Sequence, residues 1–580
     1  MLNSMEAVRF ATTPHMRTKK LFYYSFISML CLFVFASCKT KSKAKADNIA
    51  SSPEDLQQKT KGIIRSSMEM AINNKGKLED STILLSQARI SNLVYEKNAF
   101  TPIWCNKEQW LPPGDSLYDF IEMAELYGLF PEDYHANELK PIREKFINDS
   151  VSKSDRKDAA LWAKADMMLT DAFVRIMTDI KLGRLPQDSV TLRKDSVLSD
   201  AFYLQQFEAL QQAGSITQLM QSLEPTQRGY RLLKKGIRKF LDSADYRQFT
   251  IVPSPGKDAV QYKKALQKRL FEEGFIESDS LLADSLQLAQ AIKKFQQKKG
   301  IAVDGRAGEG TIRMLNMNDR EKFIRIAISM DKYKMLPEKM PSKYIWVNIP
   351  SYQLQLIEGD SVKISSKTVC GKSKTRTPLL TSAISALITY PQWVPPPSIV
   401  MKEILPALKK NPGYLAKKGF SLLDSKGEEV DPYSVDWSKY SKGIPYRVVQ
   451  GSGDANALGI LKFVFSNKYS VYLHDTNQRY LFGQTMRSLS HGCVRVQEWE
   501  KLAYYILRND SINTGGNGYA KADSMRTWLQ KKQKHSIAIK NKMPVFIRYI
   551  TCEGKEGNIV FYDDIYENDK MLRAKYFAGK

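Results

Sequence analysis

The stretch SLSHGCVRV, Ser488–Val496, carries the most distinctive chemistry of the chain, because the 580 residues include only 5 histidines and 6 cysteines. In an extended strand alternate residues share a face, so the pattern predicts that His491, Cys493 and Arg495 point the same way. Gly492 has no Cβ, and a substrate can therefore come close to the Cys493 amide. The stretch predicts a cysteine nucleophile on a strand.

A second histidine is a candidate base for that cysteine. Free Cys titrates at about 8.5 and needs a base or a positive neighbour to ionise near neutral pH. His474 ends the strand-like run SVYLHD, 19 residues before Cys493, and a neighbouring strand would bring it beside the thiol. Such a pair is a competent nucleophile for acyl transfer, with the amides of Gly492 and Cys493 as oxyanion donors.

Two other interpretations of these residues stay open at this point. His491 alone is equally consistent with a structural histidine. Cys493 with both histidines is consistent with a zinc site, although no fourth ligand shows the usual close spacing.

Length and charge bound the class of protein. A chain of 580 residues predicts several domains, and 43% hydrophobic with 26% charged residues is typical of folded protein. The net charge of +25 favours an anionic partner: nucleic acid, membrane phospholipid or an acidic cell-wall polymer.

The first 40 residues favour export. A basic segment at 17–20 precedes the apolar run Leu21–Ala36, which is shorter than the roughly 20 residues of a membrane span. The run ends in Phe-Ala-Ser-Cys, which resembles a bacterial lipobox with cleavage before Cys38 and acylation of its thiol. We therefore expect a lipoprotein signal peptide at 1–37. Phe35 departs from the usual Leu or Val, so an uncut signal anchor is the alternative.

Export argues against nucleic acid as the partner of the basic charge. Translation from Met1 and translation from Met16 are equally consistent with an export signal. The cysteines beyond Cys38 show no CxxC pair and no compact disulfide framework. They are Cys105, Cys370, Cys493 and Cys552.

Composition and periodicity predict an ordered series of segments. Residues 38–77 are polar and predict a flexible tether. Residues 78–250 show apolar residues at helical spacing and predict a helical scaffold domain. Residues 258–318, with Phe295-Gln296, Val303-Asp304-Gly305, Thr311 and Leu315-Asn316, resemble the small helical peptidoglycan-binding module. From Tyr344 the period changes to two. We therefore place a mostly β domain at 325–552, with a partly helical insertion at 395–450, the capping segment, and a tail at 553–580.

Most of the chain resembles a known family. His474, a spacer of 15 residues and then Ser490-His491-Gly492-Cys493-Val494-Arg495 are similar to the signature of L,D-transpeptidases of the YkuD type. Further runs resemble the large multidomain branch of that family over residues 80–565, including FTPIW, YIWVNIPSYQLQ, PQWVPPPSI and NALGILKFVF. The expected fold class is multidomain α+β: a helical scaffold, a small helical module and a mostly β catalytic domain with a helical cap.

The resemblance implies roles for the site residues. Cys493 would be the nucleophile and His474 the base, His491 would shape the site, and Arg495 would contact the substrate or the oxyanion. Ser490 and Gly492 are motif positions. The role of Asp475 stays open.

The resemblance also implies the reaction. Cys493 would be acylated by a tetrapeptide stem of peptidoglycan with release of D-Ala, and a second stem would resolve the thioester into a 3-3 cross-link. Resolution by water would instead make the protein an L,D-carboxypeptidase, and a non-catalytic wall-binding protein is the other alternative. No metal or other cofactor is expected. We expect a monomer on the periplasmic face of a membrane, held there by its lipid.

Overall fold

The computed structural model describes most of the chain from residue 48 onward. The described residues are 48–78, 82–151, 157–254, 256, 258–279, 284–299, 303–513 and 519–580. The predicted signal peptide, Cys38 and the tether as far as residue 47 lie outside them. Among the described residues, no helix is both long and apolar enough to cross a membrane.

The described residues form two units. The first contains residues up to Met123, Phe130–Met177 and Ser199–Ser222, and the second contains Ala124–Leu129, Thr178–Leu198 and Leu223–Lys580. Helices that lie or begin in the first unit are α1 (Pro53–Asn73), α2 (Ala88–Lys97), α3 (Pro112–Glu122), α4 (Ala136–Val151), α5 (Ala159–Lys181), α6 (Asp200–Ala213) and α7 (Ile216–Leu223). Its two-residue strands are β1 (Ile49–Ala50), β2 (Cys105–Asn106), β3 (Gln109–Trp110) and β4 (Lys157–Asp158).

Helix α1 corrects the prediction that residues 38–77 are a flexible tether. Ser52 caps the helix by accepting a hydrogen bond from the Asp55 amide, and Pro53 occupies the first turn, where its missing N–H costs nothing. Leu56, Ile64 and Met68 are buried along one face. The polar composition of residues 39–55 concealed this stripe, which begins only at Leu56.

The second unit begins with helices and includes the small module. Its first helices are α8 (Arg228–Ser243), α9 (Ala259–Glu272), α10 (Ser285–Lys299), α11 (Glu309–Leu315) and α12 (Asp319–Lys334). Helices α9 to α11 pack around Phe295 and Leu315, both fully buried. The Gln296 amide lies inside this module and hydrogen-bonds Asp304, the Gly305 amide and Thr311. The motif residues therefore make their hydrogen bonds within the module and stabilise its fold.

The packing of two segments differs from the predicted boundaries. Helix α8 falls within the predicted scaffold (78–250) but belongs to the second unit, where it packs on a hairpin of strands β16 (Cys552–Lys555) and β17 (Asn558–Phe561). Residues 553–580 are folded and are not a tail, because α18 (Asn568–Tyr576) follows that hairpin and Phe577 is buried. An amphipathic pattern predicts that a face is buried, but not against which partner.

A nine-stranded sheet dominates the second unit. Its strands are β5 (Lys343–Asn348), β6 (Gln353–Glu358), β7 (Ser361–Gly371), β8 (Leu380–Thr389), β11 (Leu461–Phe465), β12 (Leu473–His474), β13 (Ser488–Ser490), β14 (Val494–Val496) and β15 (His535–Arg548). The order is β13-β7-β14-β12-β11-β8-β15-β5-β6, and pairing of β6 with β7 closes it. Helices α16 (Trp499–Asn513) and α17 (Ala520–Gln530) contribute to the core on its inner face. The expected α+β class, helical first and sheet-rich afterwards, is confirmed.

The capping segment has a hydrophobic cluster of its own. It begins with a continuous helical stretch made of α13 (Pro397–Ile399), a π-helical turn (Val400–Ile404) and α14 (Leu405–Lys410). Helix α15 (Tyr414–Lys417) and the paired strands β9 (Phe420–Leu423) and β10 (Arg447–Gln450) complete it. Leu408 and Trp437 are buried at its centre. The insertion thus folds around its own core beside the sheet.

Candidate active site

Three adjacent strands place charged side chains on one face of the sheet. In β11, Leu461, Phe463 and Phe465 belong to the core, so Lys462 between them points to the opposite face. Lys462 pairs with His474 in β12, and His474 pairs with Arg495 in β14. Paired residues of neighbouring strands share a face. The register therefore brings Lys462, His474 and Arg495 side by side, away from the core.

The motif itself is not one extended strand, which corrects the prediction that His491, Cys493 and Arg495 share a strand face. Strand β13 runs parallel to β7 whereas β14 runs antiparallel to it, so the chain reverses between Ser490 and Val494. The reversal uses Gly492, whose φ of +121° is in the region that favours glycine. Two short strands around a bend cannot be distinguished from one long strand by alternation alone.

Ser490 fastens this bend. Its hydroxyl donates to the Cys493 carbonyl oxygen at 2.6 Å and accepts a hydrogen bond from the Gly492 amide at 3.1 Å. The Gly492 amide is therefore engaged and is not the oxyanion donor that the sequence suggested. The Cys493 amide has no hydrogen-bond acceptor among the described residues, which leaves it available for that role.

His474 is buried and held in one tautomer. Its Nδ1 lies 2.5 Å from the carbonyl oxygen of Asp475, and because a carbonyl only accepts, Nδ1 carries the proton and Nε2 is left as a base. Burial, with Arg495 nearby, lowers the pKa of His474 to about 3, so the ring is neutral. The Asp475 carboxylate turns elsewhere, to Arg479 and the Ile460 amide. The backbone carbonyl of Asp475, and not its carboxylate, is therefore the group that contacts Nδ1 of His474.

Cys493 differs from the other described cysteines in its exposure. Cys105, Cys370 and Cys552 are buried, and burial raises the pKa of the Cys370 and Cys552 thiols to about 12. Cys493 is partly exposed, and its Sγ lies 3.9 Å from the Ser470 carbonyl oxygen. Its pKa is also raised by its surroundings, against a lowering effect of Lys462 and Arg495. At rest the Cys493 thiol and the His474 imidazole are therefore both neutral.

A cavity of about 410 Å³ opens beside the thiol. Its lining includes Ser490, His491, Cys493, His474 and Arg495. All the described site residues predicted from the sequence therefore line this cavity, with the exception of Gly492. The remaining wall comes from residues 393–399, at the start of the capping segment, and from residues 469–472.

Arg495 and His491 both reach partners outside the motif. Arg495 Nη1 donates to Gln478 at 2.7 Å, while its buried Nε–H has no acceptor among the described residues. His491 Nε2 lies 2.6 Å from a carboxylate oxygen of Glu403, in the capping segment. Since a carboxylate accepts, Nε2 carries the proton of this hydrogen bond.

Lys462 and Glu403 were missed by reasoning from the sequence. A lysine that alternates with apolar residues in a strand usually marks a solvated face, and a glutamate in an amphipathic helix does the same. The signal for Lys462 is its position in LKFVF opposite the strand that ends in His474. Nowhere in the described chain do three His, Cys, Asp or Glu side chains converge as metal ligands would.

Three family models match successive parts of the chain. Residues 92–237 match a model described as a scaffold domain, residues 261–315 one described as "Putative peptidoglycan binding domain", and residues 342–514 one described as an L,D-transpeptidase catalytic domain of the YkuD type.

Individual proteins are similar over shorter or more divergent stretches. A curated protein of Haemophilus influenzae named "Putative L,D-transpeptidase" is 35% identical over 248 residues, which are 43% of this chain and 48% of the relative. The chain thus matches about half the length of that relative. Among solved structures, an L,D-transpeptidase from Stackebrandtia nassauensis is 15% identical, with 54% of this chain and all of that one covered and a TM-score of 0.17. One from Mycobacterium smegmatis is 12% identical over 36% of this chain and 58% of that one, also with a TM-score of 0.17.

Proposed function

We propose, on the match of residues 342–514 to the model of an L,D-transpeptidase catalytic domain, that the protein forms 3-3 cross-links in peptidoglycan through a thioester on Cys493. The observation that carries the proposal is the shared cavity: the most accessible of the described cysteines faces the same space as a histidine with an unprotonated Nε2. A nucleophile and an oriented base around one cavity are the minimum for acyl transfer.

The first half-reaction acylates the enzyme. The Cys493 sulfur attacks the carbonyl carbon that links the L-centre of the donor's third residue to D-Ala, as its proton moves to Nε2 of His474. The C–N bond to D-Ala then breaks, and the leaving amine takes that proton from the imidazolium. The Nδ1–H bond to the Asp475 carbonyl keeps the ring in place while its charge appears and disappears.

The oxyanion of this step needs donors at the motif. The Cys493 amide is the available backbone donor, because Ser490 already engages that of Gly492. Arg495 adds positive charge on the same face, and its free Nε–H can donate to the donor stem. Preorganised donors of this kind stabilise developing negative charge without reorganisation in the reaction.

The second half-reaction transfers the acyl group. The side-chain amine of an acceptor stem attacks the thioester carbonyl, loses a proton to His474, and displaces the thiolate, which recovers that proton. Water in place of the amine would release a tripeptide and make the protein an L,D-carboxypeptidase. The walls contributed by the capping segment favour transfer, since a covered site excludes water from a reactive intermediate.

The experiment is product analysis by mass spectrometry. The purified protein is incubated with a disaccharide tetrapeptide, and we expect a 3-3 cross-linked dimer and free D-Ala from the wild type, but neither from Cys493→Ala. A tripeptide without a dimer would support the hydrolase instead. Cross-linking that persists in Cys493→Ala would exclude Cys493 as the nucleophile.

The module and the signal peptide suggest where the reaction takes place. A peptidoglycan-binding domain beside a transpeptidase domain fits an enzyme of the cell envelope, and we propose that a lipid on Cys38 holds it at a membrane. Radiolabelled lipid should enter the wild type and should not enter Cys38→Ala. Equal labelling of the two would contradict the anchor.

A further inference from the structure

Lys462 lies in the active-site sheet without an acidic partner. Lys462 pairs with His474 across strands β11 and β12. Arg495 lies on β14, on the other side of β12. Nζ of Lys462 is 3.4 Å from the ring centroid of Tyr472, within the range of a cation–π contact. No described carboxylate forms an ion pair with it. Partial burial of an ammonium group that contacts only an aromatic ring costs free energy unless a negatively charged group lies nearby.

Cys493 is the group that supplies this negative charge when it ionises. The Val494 amide donates to the Tyr472 carbonyl oxygen at 3.0 Å, which sets Tyr472 directly beside Cys493, and both line the cavity. The ring that holds the Lys462 ammonium is therefore the neighbour of the thiol. Burial raises the pKa of Cys493, and Lys462 opposes that rise; burial lowers the pKa of Lys462, and the ionised cysteine opposes that fall.

We propose that Lys462 is an electrostatic positioning residue, whose ammonium stabilises the Cys493 thiolate as it forms. The inference rests on the proposed role of Cys493 as nucleophile. Lys462 does not line the cavity, so it acts on the sulfur and not on the donor stem. We therefore expect its loss to slow acylation without weakening donor binding.

One other cation, Arg495, acts on the sulfur alongside Lys462. His474 is neutral, and His491 is paired with Glu403 of the capping segment. Arg495, the second cation of this face, donates to the neutral amide of Gln478 through Nη1, which leaves its charge in place. Tyr472 carries no charge at neutral pH, because burial and the neighbouring cysteine raise its pKa. Lys462 and Arg495 are thus the two cations that favour the thiolate, and Lys462 is the one of them that does not line the cavity.

The test is the pH dependence of Cys493 alkylation in the full chain. Iodoacetamide rates are measured from pH 6 to 11, with peptide mass spectrometry to assign the adduct to Cys493. In Lys462→Met and Lys462→Gln we expect the midpoint to rise by about one pH unit, since a unit charge near a partly buried thiol is worth roughly that much. Lys462→Arg should keep the wild-type midpoint, because it keeps the charge.

The matched control is Lys468→Met, which removes the same charge at a position two residues before Ser470. We expect it to leave the midpoint of Cys493 alkylation unchanged. Acylation by a tetrapeptide donor is followed in parallel, and we expect about a tenfold loss of kcat with KM unchanged in the two neutral variants. Equal midpoints in the wild type and both neutral variants would overturn the inference. That result with normal acylation of Cys493 would leave the proposed function intact, whereas absent acylation in the wild type would defeat the proposed function itself.

Discussion

Nε2 of His491 lies 2.6 Å from Oε1 of Glu403, so the motif that carries the cysteine and the capping segment are in direct contact. His491 belongs to the bend around Gly492, and Glu403 belongs to the π-helical turn Val400–Ile404. The sequence suggested that His491 shapes the site. Its partner supports a more specific role, in which the histidine fixes the capping segment over the cavity.

We expect Glu403→Ala to raise KM for the tetrapeptide donor about fivefold with little change in kcat. A charge-assisted hydrogen bond between partly exposed groups is worth about 1 kcal/mol after screening by solvent. The KM of Glu403→Gln, which keeps a hydrogen-bond acceptor, should fall between those of the wild type and Glu403→Ala. The measurement is steady-state kinetics of D-Ala release. An unchanged KM in Glu403→Ala would show that the contact does not order the donor site.

Gly492→Ala should lose most activity and also stability. The φ of +121° costs an L-residue about 1–3 kcal/mol, although its Cβ would meet no atom closer than 3.5 Å. The strain would move Cys493, the next residue. Gly483→Ala is the control, because Gly483 has open space around it and no positive φ. Melting temperature and D-Ala release are compared in the two variants, and equal behaviour would show that the bend is not needed.

Gln296→Ala should unfold the small module while the catalytic domain keeps its activity on a soluble donor. The amide makes hydrogen bonds to Asp304, Gly305 and Thr311 inside the module, and each net bond is worth about 1 kcal/mol. Gln287→Ala on the same helix, where the amide serves an exposed turn, is the control. Hydrogen exchange over residues 258–318 measures the change. Slow exchange in Gln296→Ala would contradict this role.

Substitution of His474 and of His491 should reduce activity to different extents, and the pH dependence of kcat/KM should show that His474 is neutral. Because the pKa of His474 is lowered to about 3, the base is neutral down to low pH, and kcat/KM should not decline between pH 7 and 5 through its protonation. His474→Ala should lose about 10²- to 10⁴-fold in kcat, the usual contribution of a general base. His491→Ala should lose less, mainly in KM. A larger loss of kcat in His491→Ala would reverse the two roles.

Sequence reasoning reached the catalytic strands because their signals are local. The period of two from Tyr344 predicted the sheet, and the spacing of His474 and Cys493 predicted neighbouring strands, which β12 and β14 are. It failed where the cause is tertiary. Helix α8 and strands β16 and β17 are far apart in sequence yet pack together, and nothing local to residues 228–243 shows this.

The same limit applies within the site. The pattern of SLSHGCVRV is compatible with a continuous strand, and only the opposite directions of β13 and β14 against β7 show the bend. It also suggested an ionised Cys–His pair. The structure instead buries His474 and leaves both groups neutral at rest, with Lys462 and Arg495 as the nearby charges, because burial penalises each charged form.

The central claim is that Cys493 carries the acyl group, and intact-protein mass spectrometry tests it most directly. The wild type, Cys493→Ala and His474→Ala are each mixed with a tetrapeptide donor without an acceptor and quenched with acid within seconds. We expect the wild type to gain the mass of the donor less D-Ala, Cys493→Ala to gain nothing, and His474→Ala to gain the adduct far more slowly. An adduct of that mass on Cys493→Ala would contradict the account.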